Sequence, residues 1–137
     1  MEIKIYTDGG SSGNPGPVAI GYVIFFDTKK IFSFGKKIGT GTNNFAEYSA
    51  LIAALEKITD LIKQSVGLAF SKIIVCSDSS LVVNQVNGLY KIKNPKIKDY
   101  VQKVKKLEQN ISIPIYYKHI PREENQLADS LVRKELY

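Results

Sequence analysis

The chain contains a single cysteine, a single histidine and no tryptophan. Cys76 alone cannot form an internal disulfide or a CxxC redox pair, and one cysteine with one histidine cannot build a zinc site. No apolar run approaches the roughly 20 residues that a membrane span requires, and no signal peptide precedes the first periodic segment. We therefore expect a cytoplasmic protein without disulfides or structural zinc.

Linkers, internal repeats and low-complexity tracts are also missing, and 137 residues is the size of one domain. Hydrophobic residues make up 44% of the chain, which is enough for a core and excludes wholesale disorder. The 19 lysines and arginines exceed the 13 acidic residues and give a net charge of +6. This charge favours a polyanionic partner such as nucleic acid. We expect one domain over residues 1–137, acting as a monomer.

Three β-rich segments open the chain and predict an antiparallel meander. Ile3–Thr7 alternates apolar and polar residues, as a strand does, and runs into a loop-like stretch, Asp8–Pro17. Val18–Phe26 and Ile31–Ile38 follow as further strands. The short polar connector between them, Asp27–Lys30, indicates a hairpin.

The second half of the chain alternates helical and strand patterns. Apolar residues spaced three and four apart from Tyr48 to Ile62 predict a long amphipathic helix, with Asn43 or Asn44 as its N-cap. The remaining predicted elements are strands at Lys72–Ser77 and Ile111–Lys118, and helices at about Ser79–Asn87, Pro95–Glu108 and Glu124–Leu136. The order of elements predicts an α/β fold with a mixed sheet.

The last helix carries apolar residues at helical spacing, and we expect them to face the sheet. They are Leu127, Ala128, Leu131 and Val132.

Four acidic residues stand where such a fold could bring them together. Asp8 follows the first strand and Asp78 the fourth, and small residues come after each. If these strands are parallel neighbours, both carboxylates lie at the carboxyl edge of the sheet, where open α/β sheets place their ligand sites. Glu47 lies in the first turn of the long helix, and Asp129 lies among apolar residues of the last helix.

Each of these acidic residues taken alone has an ordinary structural explanation, such as a turn, a helix cap or a surface ion pair. Four carboxylates at one edge would instead repel one another strongly unless a cation held them together. Ligands that are all oxygen favour Mg²⁺ or Mn²⁺ over zinc. The pattern therefore predicts a divalent metal site.

Four short motifs occur in a fixed order along nearly the whole chain. They are Tyr6–Gly10 with Gly13–Pro17, then Thr42–Glu47, then Ser77–Ser79, and finally His119–Asn125 leading to Asp129. Together they resemble type 1 ribonuclease H. The resemblance implies a five-stranded mixed sheet, in which strands one to three are antiparallel, strands four and five run parallel to the first, and helices cover both faces.

The resemblance also implies an activity, which is cleavage of the RNA strand of an RNA–DNA hybrid to leave 5′-phosphate and 3′-hydroxyl ends. The catalytic carboxylates of the family correspond to Asp8, Glu47, Asp78 and Asp129. These residues would hold two Mg²⁺ ions, with Mn²⁺ able to substitute, for two-metal catalysis.

Substrate contacts follow from the same resemblance. Gly9 and Gly10 would let the backbone approach the RNA, whose 2′-hydroxyl distinguishes it from DNA. Asn14, Asn43 and Asn44 match positions along the minor groove of the hybrid, and Thr42 matches a residue that contacts a DNA-strand phosphate. Asn43 and Asn44 could alternatively serve only as a helix cap.

The chain departs from some relatives because it has no tryptophan-containing basic protrusion, and it looks like the compact archaeal and some bacterial members. The shorter stretch Gly88–Lys98 takes that place. Its lysines at positions 91, 93, 96 and 98 would bind phosphates or simply form a solvated charge run.

His119 is the predicted assistant of turnover, as a loop histidine near the metals. Arg122 competes for that role, because a guanidinium can neutralise a departing phosphate. Two other functions stay open. One is a related nuclease that acts on duplex RNA or DNA, and the other is a catalytically silent hybrid-binding domain.

Overall fold

The computed structural model describes residues 1–137. Its strands are β1 (Glu2–Ser11), β2 (Gly16–Phe26), β3 (Lys29–Gly41), β4 (Lys72–Ser77) and β5 (Ile115–His119). Its helices are α1 (Asn43–Gln64), α2 (Ser80–Val86), α3 (Pro95–Gln109) and α4 (Gln126–Leu136), with a 3₁₀ helix at Arg122–Glu124. No helix combines the length and the apolarity that crossing a membrane would require.

The five strands form one mixed sheet in the order β3-β2-β1-β4-β5. β1 to β3 form an antiparallel meander, whereas β4 lies parallel to β1 and β5 lies parallel to β4. The predicted α/β fold and its strand directions are confirmed. Two parallel strands beside a meander leave the carboxyl ends of β1, β4 and β5 at one edge of the sheet.

Helices cover both faces of the sheet, because alternate residues of a strand point to opposite sides. Ile5 of β1 belongs to a buried cluster with Tyr48 and Leu55 of α1. On the other face, a Cβ at Gly10 would meet the side chain of Val132 in α4. The main core therefore lies between the sheet and α1, and α4 packs on the opposite side.

The loop predicted over Asp8–Pro17 is wrong at both ends, because β1 continues to Ser11 and β2 begins at Gly16. The antiparallel pairing with β2 runs as far as the Ser11–Val18 pair. A Cβ at Gly9 would overlap the backbone of Ala46 in α1. The glycine that suggested a loop is instead a strand residue without a side chain, over which a helix packs closely.

Helix α1 begins one or two residues earlier than predicted, since Asn43 or Asn44 was the expected N-cap. Thr42 is its N-cap, and the Thr42 Oγ1 accepts a hydrogen bond from the N–H of Phe45 at 3.2 Å. Asn43 and Asn44 lie inside the helix. The Asn43 Oδ1 instead accepts hydrogen bonds from the N–H and the hydroxyl of Ser11. Asn43 therefore connects α1 to the end of β1 and does not cap the helix.

The fifth strand begins at Ile115 and not at Ile111. Ile111 is buried just after α3, and its N–H donates to the carbonyl of Glu108 at 3.0 Å, so it still belongs to the turn that ends the helix. The predicted limits of β4 are confirmed at Lys72–Ser77.

Helix α4 also differs from its prediction, because the 3₁₀ helix precedes it and it begins at Gln126. Leu127 was expected to face the sheet, but it is 51% exposed. Ala128 and Val132, four residues apart, form the buried stripe. Small residues there let α4 approach the backbone of β2 at Gly21, and this contact turns Leu127 outward.

Candidate active site

The parallel pairing of β1 and β4 places two aspartates side by side at the carboxyl edge of the sheet. The pairing ends with Thr7 opposite Ser77, and the next residues along the chain are Asp8 and Asp78. This placement is what the sequence predicts for parallel neighbouring strands. Asp8 is 8% exposed, because β2 and the helices on both faces surround it.

Glu47 joins the two aspartates from α1. The sequence predicted Glu47 in the first turn of the helix. Because α1 begins at Asn43, Glu47 is its fifth residue and lies just beyond that turn. The Glu47 Oε1 accepts a hydrogen bond from the N–H of Gly9 at 2.5 Å. One carboxylate oxygen from each of Asp8, Glu47 and Asp78 lies within 4.8 Å of the other two. We call these three residues the carboxylate triad.

Asp129 borders the same cleft but does not belong to the carboxylate triad. It lies in the first turn of α4, and its Oδ2 is 3.4 Å from the Nε of Arg133 one turn later. The charge of Asp129 still acts on Asp8 and raises its pKa. The predicted fourth carboxylate is therefore close to the other three but paired with an arginine.

Burial and repulsion between like charges raise the pKa values of Asp8 and Glu47. Burial, followed by the charge of Asp78, raises the pKa of Asp8 to about 7. Burial and then the charge of Asp8 raise the pKa of Glu47 well above its usual range, although the N–H of Gly9 opposes this shift. Both shifts have the cause expected of like charges in a poorly solvated site. A bound cation would reverse them.

The three carboxylates lie in an open cleft of about 430 Å³. Gly9, Gly10 and Arg122 border this cleft together with the acidic residues. His119 does not border it. The histidine is exposed at the end of β5, where it pairs with Ser77.

A second groove, of about 720 Å³, adjoins the cleft and shares Asn43 and Asn44 with it. Asn14, Thr42 and Lys96 also line this groove. Asn14 is held against α1, since its Oδ1 accepts a hydrogen bond from the N–H of Asn43 at 3.1 Å. The structure therefore brings the predicted substrate residues together along two connected depressions. His119, the predicted assistant of turnover, lines neither of them.

Two residues beside the carboxylates received no role from the sequence. Asn125 is buried, and its side-chain nitrogen donates to the Asp78 Oδ2 at 3.3 Å. The sequence contains this asparagine within a motif but offers no sign of its partner. Arg133 follows Asp129 by four residues, a spacing at which opposite charges on a helix meet, so this ion pair could have been found.

Comparison with known proteins places this site in a family. A family model described as RNase H matches residues 1–137. The bifunctional protein Rv2228c of Mycobacterium tuberculosis is 40% identical over 134 residues, which are 96% of this chain and 34% of that protein. Ribonuclease HI of Halobacterium salinarum is 36% identical over 135 residues, which are 98% of this chain and 64% of that protein. The chain thus spans between a third and two thirds of these relatives.

Solved structures agree with the family model. The crystal structure of LC11-RNase H1 in complex with an RNA/DNA hybrid superposes with a TM-score of 0.88 at 41% identity, and it covers 98% of this chain and 96% of that chain. The sheet order, the carboxylate cleft and the match along the whole chain lead to the same conclusion. The chain belongs to the ribonuclease H family.

Proposed function

We propose that this chain is an endonuclease that hydrolyses the RNA strand of RNA–DNA hybrids and leaves 5′-phosphate and 3′-hydroxyl ends. The observation that carries the proposal is the meeting of Asp8, Glu47 and Asp78 within 4.8 Å in an open cleft of a ribonuclease H family chain. A relative solved with an RNA/DNA hybrid supports the choice of substrate.

The donor atoms of the cleft suit a hard divalent cation, because all of them are carboxylate oxygens. Asp8, Glu47 and Asp78 would hold Mg²⁺, or Mn²⁺ in its place, and Asp129 would complete the ligand set. When bound, two such cations supply an activated water and neutralise the charge that develops on the phosphate and the leaving oxygen. The raised pKa of Asp8 means that its carboxyl keeps a proton near neutral pH, and this proton would be released when a cation binds.

The chain's own residues fix the positions of these ligands. Asp8 is held by its strand, and Glu47 is oriented by the N–H of Gly9. Arg122 places a positive charge at the wall of the cleft, where it would pair with a phosphate of the substrate. A role for His119 in assisting turnover stays a prediction. Because His119 does not line the cleft, it would act from outside it.

The second groove suits the other strand of the hybrid. Thr42 caps α1 through its oxygen, so its hydroxyl hydrogen remains able to donate to a phosphate of the DNA strand. Asn43 and Asn44 line both depressions, and with Asn14 they would contact the minor groove between the two strands. Gly9 and Gly10 would leave the RNA backbone room at the cleft.

We further propose that residues 1–137 act as one domain and as a monomer. A cytoplasmic location stays a prediction from the sequence.

The proposal is tested by cleavage assays of the parent chain on an RNA–DNA hybrid, duplex RNA and duplex DNA of the same sequence, with Asp8→Asn as the variant. We expect the parent to cut only the RNA strand of the hybrid. Asp8→Asn should lose at least about 100-fold in rate while its affinity for the hybrid is kept. Asp60→Asn, which removes the same charge from an exposed position of α1, is the matched control.

Each alternative function has its own outcome in this assay. Preferential cleavage of duplex RNA or DNA would identify a related nuclease. Hybrid binding without cleavage by the parent would identify a silent binding domain. A rate of Asp8→Asn within tenfold of the parent at saturating Mg²⁺ would remove Asp8 from the mechanism.

A further inference from the structure

Asn125 contacts three of the four segments that carry the acidic residues of the cleft, all except α1. It lies between the 3₁₀ helix and α4 and is 1% exposed. Its Nδ2 donates to the carbonyl of Thr7, next to Asp8, at 2.9 Å, and to the Oδ2 of Asp78 at 3.3 Å. The backbone carbonyl of Asn125 accepts a hydrogen bond from the N–H of Asp129 at 3.0 Å. One residue thus joins β1, the end of β4 and the first turn of α4.

The orientation of the Asn125 amide follows from its two partners. The carbonyl of Thr7 and the carboxylate of Asp78 are both acceptors, so the side-chain nitrogen must face them. An –NH₂ group carries two hydrogens, and each has one acceptor here. Only the Oδ2 of Asp78 is engaged in this way, which leaves the other carboxylate oxygen free for a ligand.

The opposite end of the same amide has no partner. The Asn125 Oδ1 is buried and makes no hydrogen bond. A buried polar atom without a partner carries a desolvation penalty that an apolar side chain of similar size would avoid. Packing therefore does not explain an asparagine at this position, whereas its two N–H donors do.

We propose that Asn125 is a positioning residue, which holds the carboxylate of Asp78 against β1 in register with Asp8 and the first turn of α4. This inference rests on the proposed function, because the purpose of that register is a shared divalent cation. Hydrogen bonds to the outer side of metal ligands set ligand orientation in proteins, and their loss weakens metal binding about 10- to 100-fold.

The test is calorimetric titration of the free protein with Mn²⁺, together with steady-state cleavage of the hybrid. Asn125→Leu and Asn125→Ala remove both donors. We expect the dissociation constant for Mn²⁺ to rise about 10- to 100-fold, and kcat to fall while the KM for hybrid is unchanged. The melting temperature in EDTA should fall in both variants, because the carbonyl of Thr7 loses its side-chain donor. Mn²⁺ affinity is therefore compared at a temperature at which the variants are folded.

Asn87→Leu is the matched control. The Asn87 Nδ2 likewise donates to a strand carbonyl, that of Tyr117 at 3.3 Å, but the residue is exposed and outside the cleft. Its Mn²⁺ affinity should equal that of the parent.

Three results would overturn the proposal. The first is Mn²⁺ affinity in folded Asn125→Leu or Asn125→Ala within threefold of the parent. The second is failure of both variants to fold, which would assign Asn125 to the fold. The third is a parent that binds no Mn²⁺, which would remove the metal site itself. A parent that binds Mn²⁺ but does not cleave hybrid would contradict the proposed function alone.

Discussion

His119 is the last residue of β5 and Arg122 lies in the connection that follows, but only the arginine borders the carboxylate cleft. The two residues are three positions apart. Arginine is positively charged, and histidine becomes so when it is protonated. Their roles differ chemically, because an imidazole can transfer a proton near neutral pH whereas a guanidinium stays charged. Position at the cleft wall favours the role that needs only charge.

We expect Arg122→Ala to lower kcat for the hybrid about tenfold or more, which corresponds to removing one charge-assisted hydrogen bond of about 1.5 kcal/mol. Arg122→Lys should recover part of that activity, since it restores the charge. His119→Ala should change kcat less than Arg122→Ala. The measurement is turnover at saturating hybrid for the three variants.

A different result would return the role to the histidine. If His119→Ala alone lowers kcat by about 10- to 100-fold, the usual range for an assisting acid or base, proton transfer is the function of this connection.

At the scale of elements, the closest approach in the site is the one between β1 and α1. A Cβ at Gly9 would overlap the carbonyl of Ala46 and the N–H of Glu47, both of which are backbone atoms. Neither can move without moving the helix. Glycine at this position therefore has a structural reason, in addition to the proposed approach of RNA.

We expect Gly9→Ala to lower the free energy of unfolding by about 1–3 kcal/mol, the usual cost of overpacking, and to weaken Mn²⁺ binding because Glu47 moves with the helix. Gly10→Ala is the control, since its Cβ would meet only the side chain of Val132 at 3.3 Å. Urea denaturation and Mn²⁺ titration measure both effects. Equal stability of the two variants would contradict the packing argument.

At the scale of the whole molecule, the buried carboxylates make folding depend on pH. The pKa of Asp8 is about 7 in the folded chain, against 3.8 for an ordinary aspartate. Between these values the folded protein keeps a proton that the unfolded chain has released, so the free energy of unfolding falls as pH rises. The raised pKa of Glu47 acts in the same direction.

We expect the parent in EDTA to melt at a lower temperature at pH 8 than at pH 5, and Asp8→Asn to lose less over the same range. The difference between the two should be at least about 4 °C, the shift that about 1 kcal/mol produces in a domain of this size. Asp60→Asn should follow the parent. Parallel pH profiles of the parent and Asp8→Asn would show that Asp8 is not protonated in the fold.

The proposed binding of a hybrid leads to a second prediction for the whole molecule, which concerns charge outside the cleft and salt dependence. Lys96 lines the second groove, and Lys91, Lys93 and Lys98 are exposed on the same stretch of chain. Replacing all four by alanine should reduce the slope of log affinity against log salt concentration by about 1–2. This is roughly one for each phosphate that the variant no longer neutralises. Binding is measured in the Asp8→Asn background to prevent cleavage.

The control for this experiment removes four lysines that lie at the ends of strands and of α1 away from the carboxylates. These are Lys29, Lys30, Lys63 and Lys72. They carry the same total charge away from the carboxylates, so their removal should weaken binding without changing the slope. Equal slopes for the two quadruple variants would assign Lys91–Lys98 to the solvated surface.

The order and direction of the elements were predictable from the amino-acid sequence, and so were the two aspartates at the sheet edge. Alternation and helical spacing are local properties, readable over a few residues, so the meander, α1 and β4 were predictable. Asp8 and Asp78 follow directly from the ends of two parallel strands. Glu47 and Asp129 were candidates because of their places on two helices, and the motifs that resemble type 1 ribonuclease H supported this choice among the 13 acidic residues.

Contacts between side chains that are far apart in the chain were not predictable and required the folded structure. Asn125 and Thr7 are 118 positions apart, and their hydrogen bond exists because α4 begins beneath the end of β1. Leu127 was predicted to be inward but lies outward, because α4 needs a small residue against Gly21. The physical reason is the same in both cases. A local pattern shows that a residue is apolar or polar, whereas its partner depends on how closely two separate elements approach.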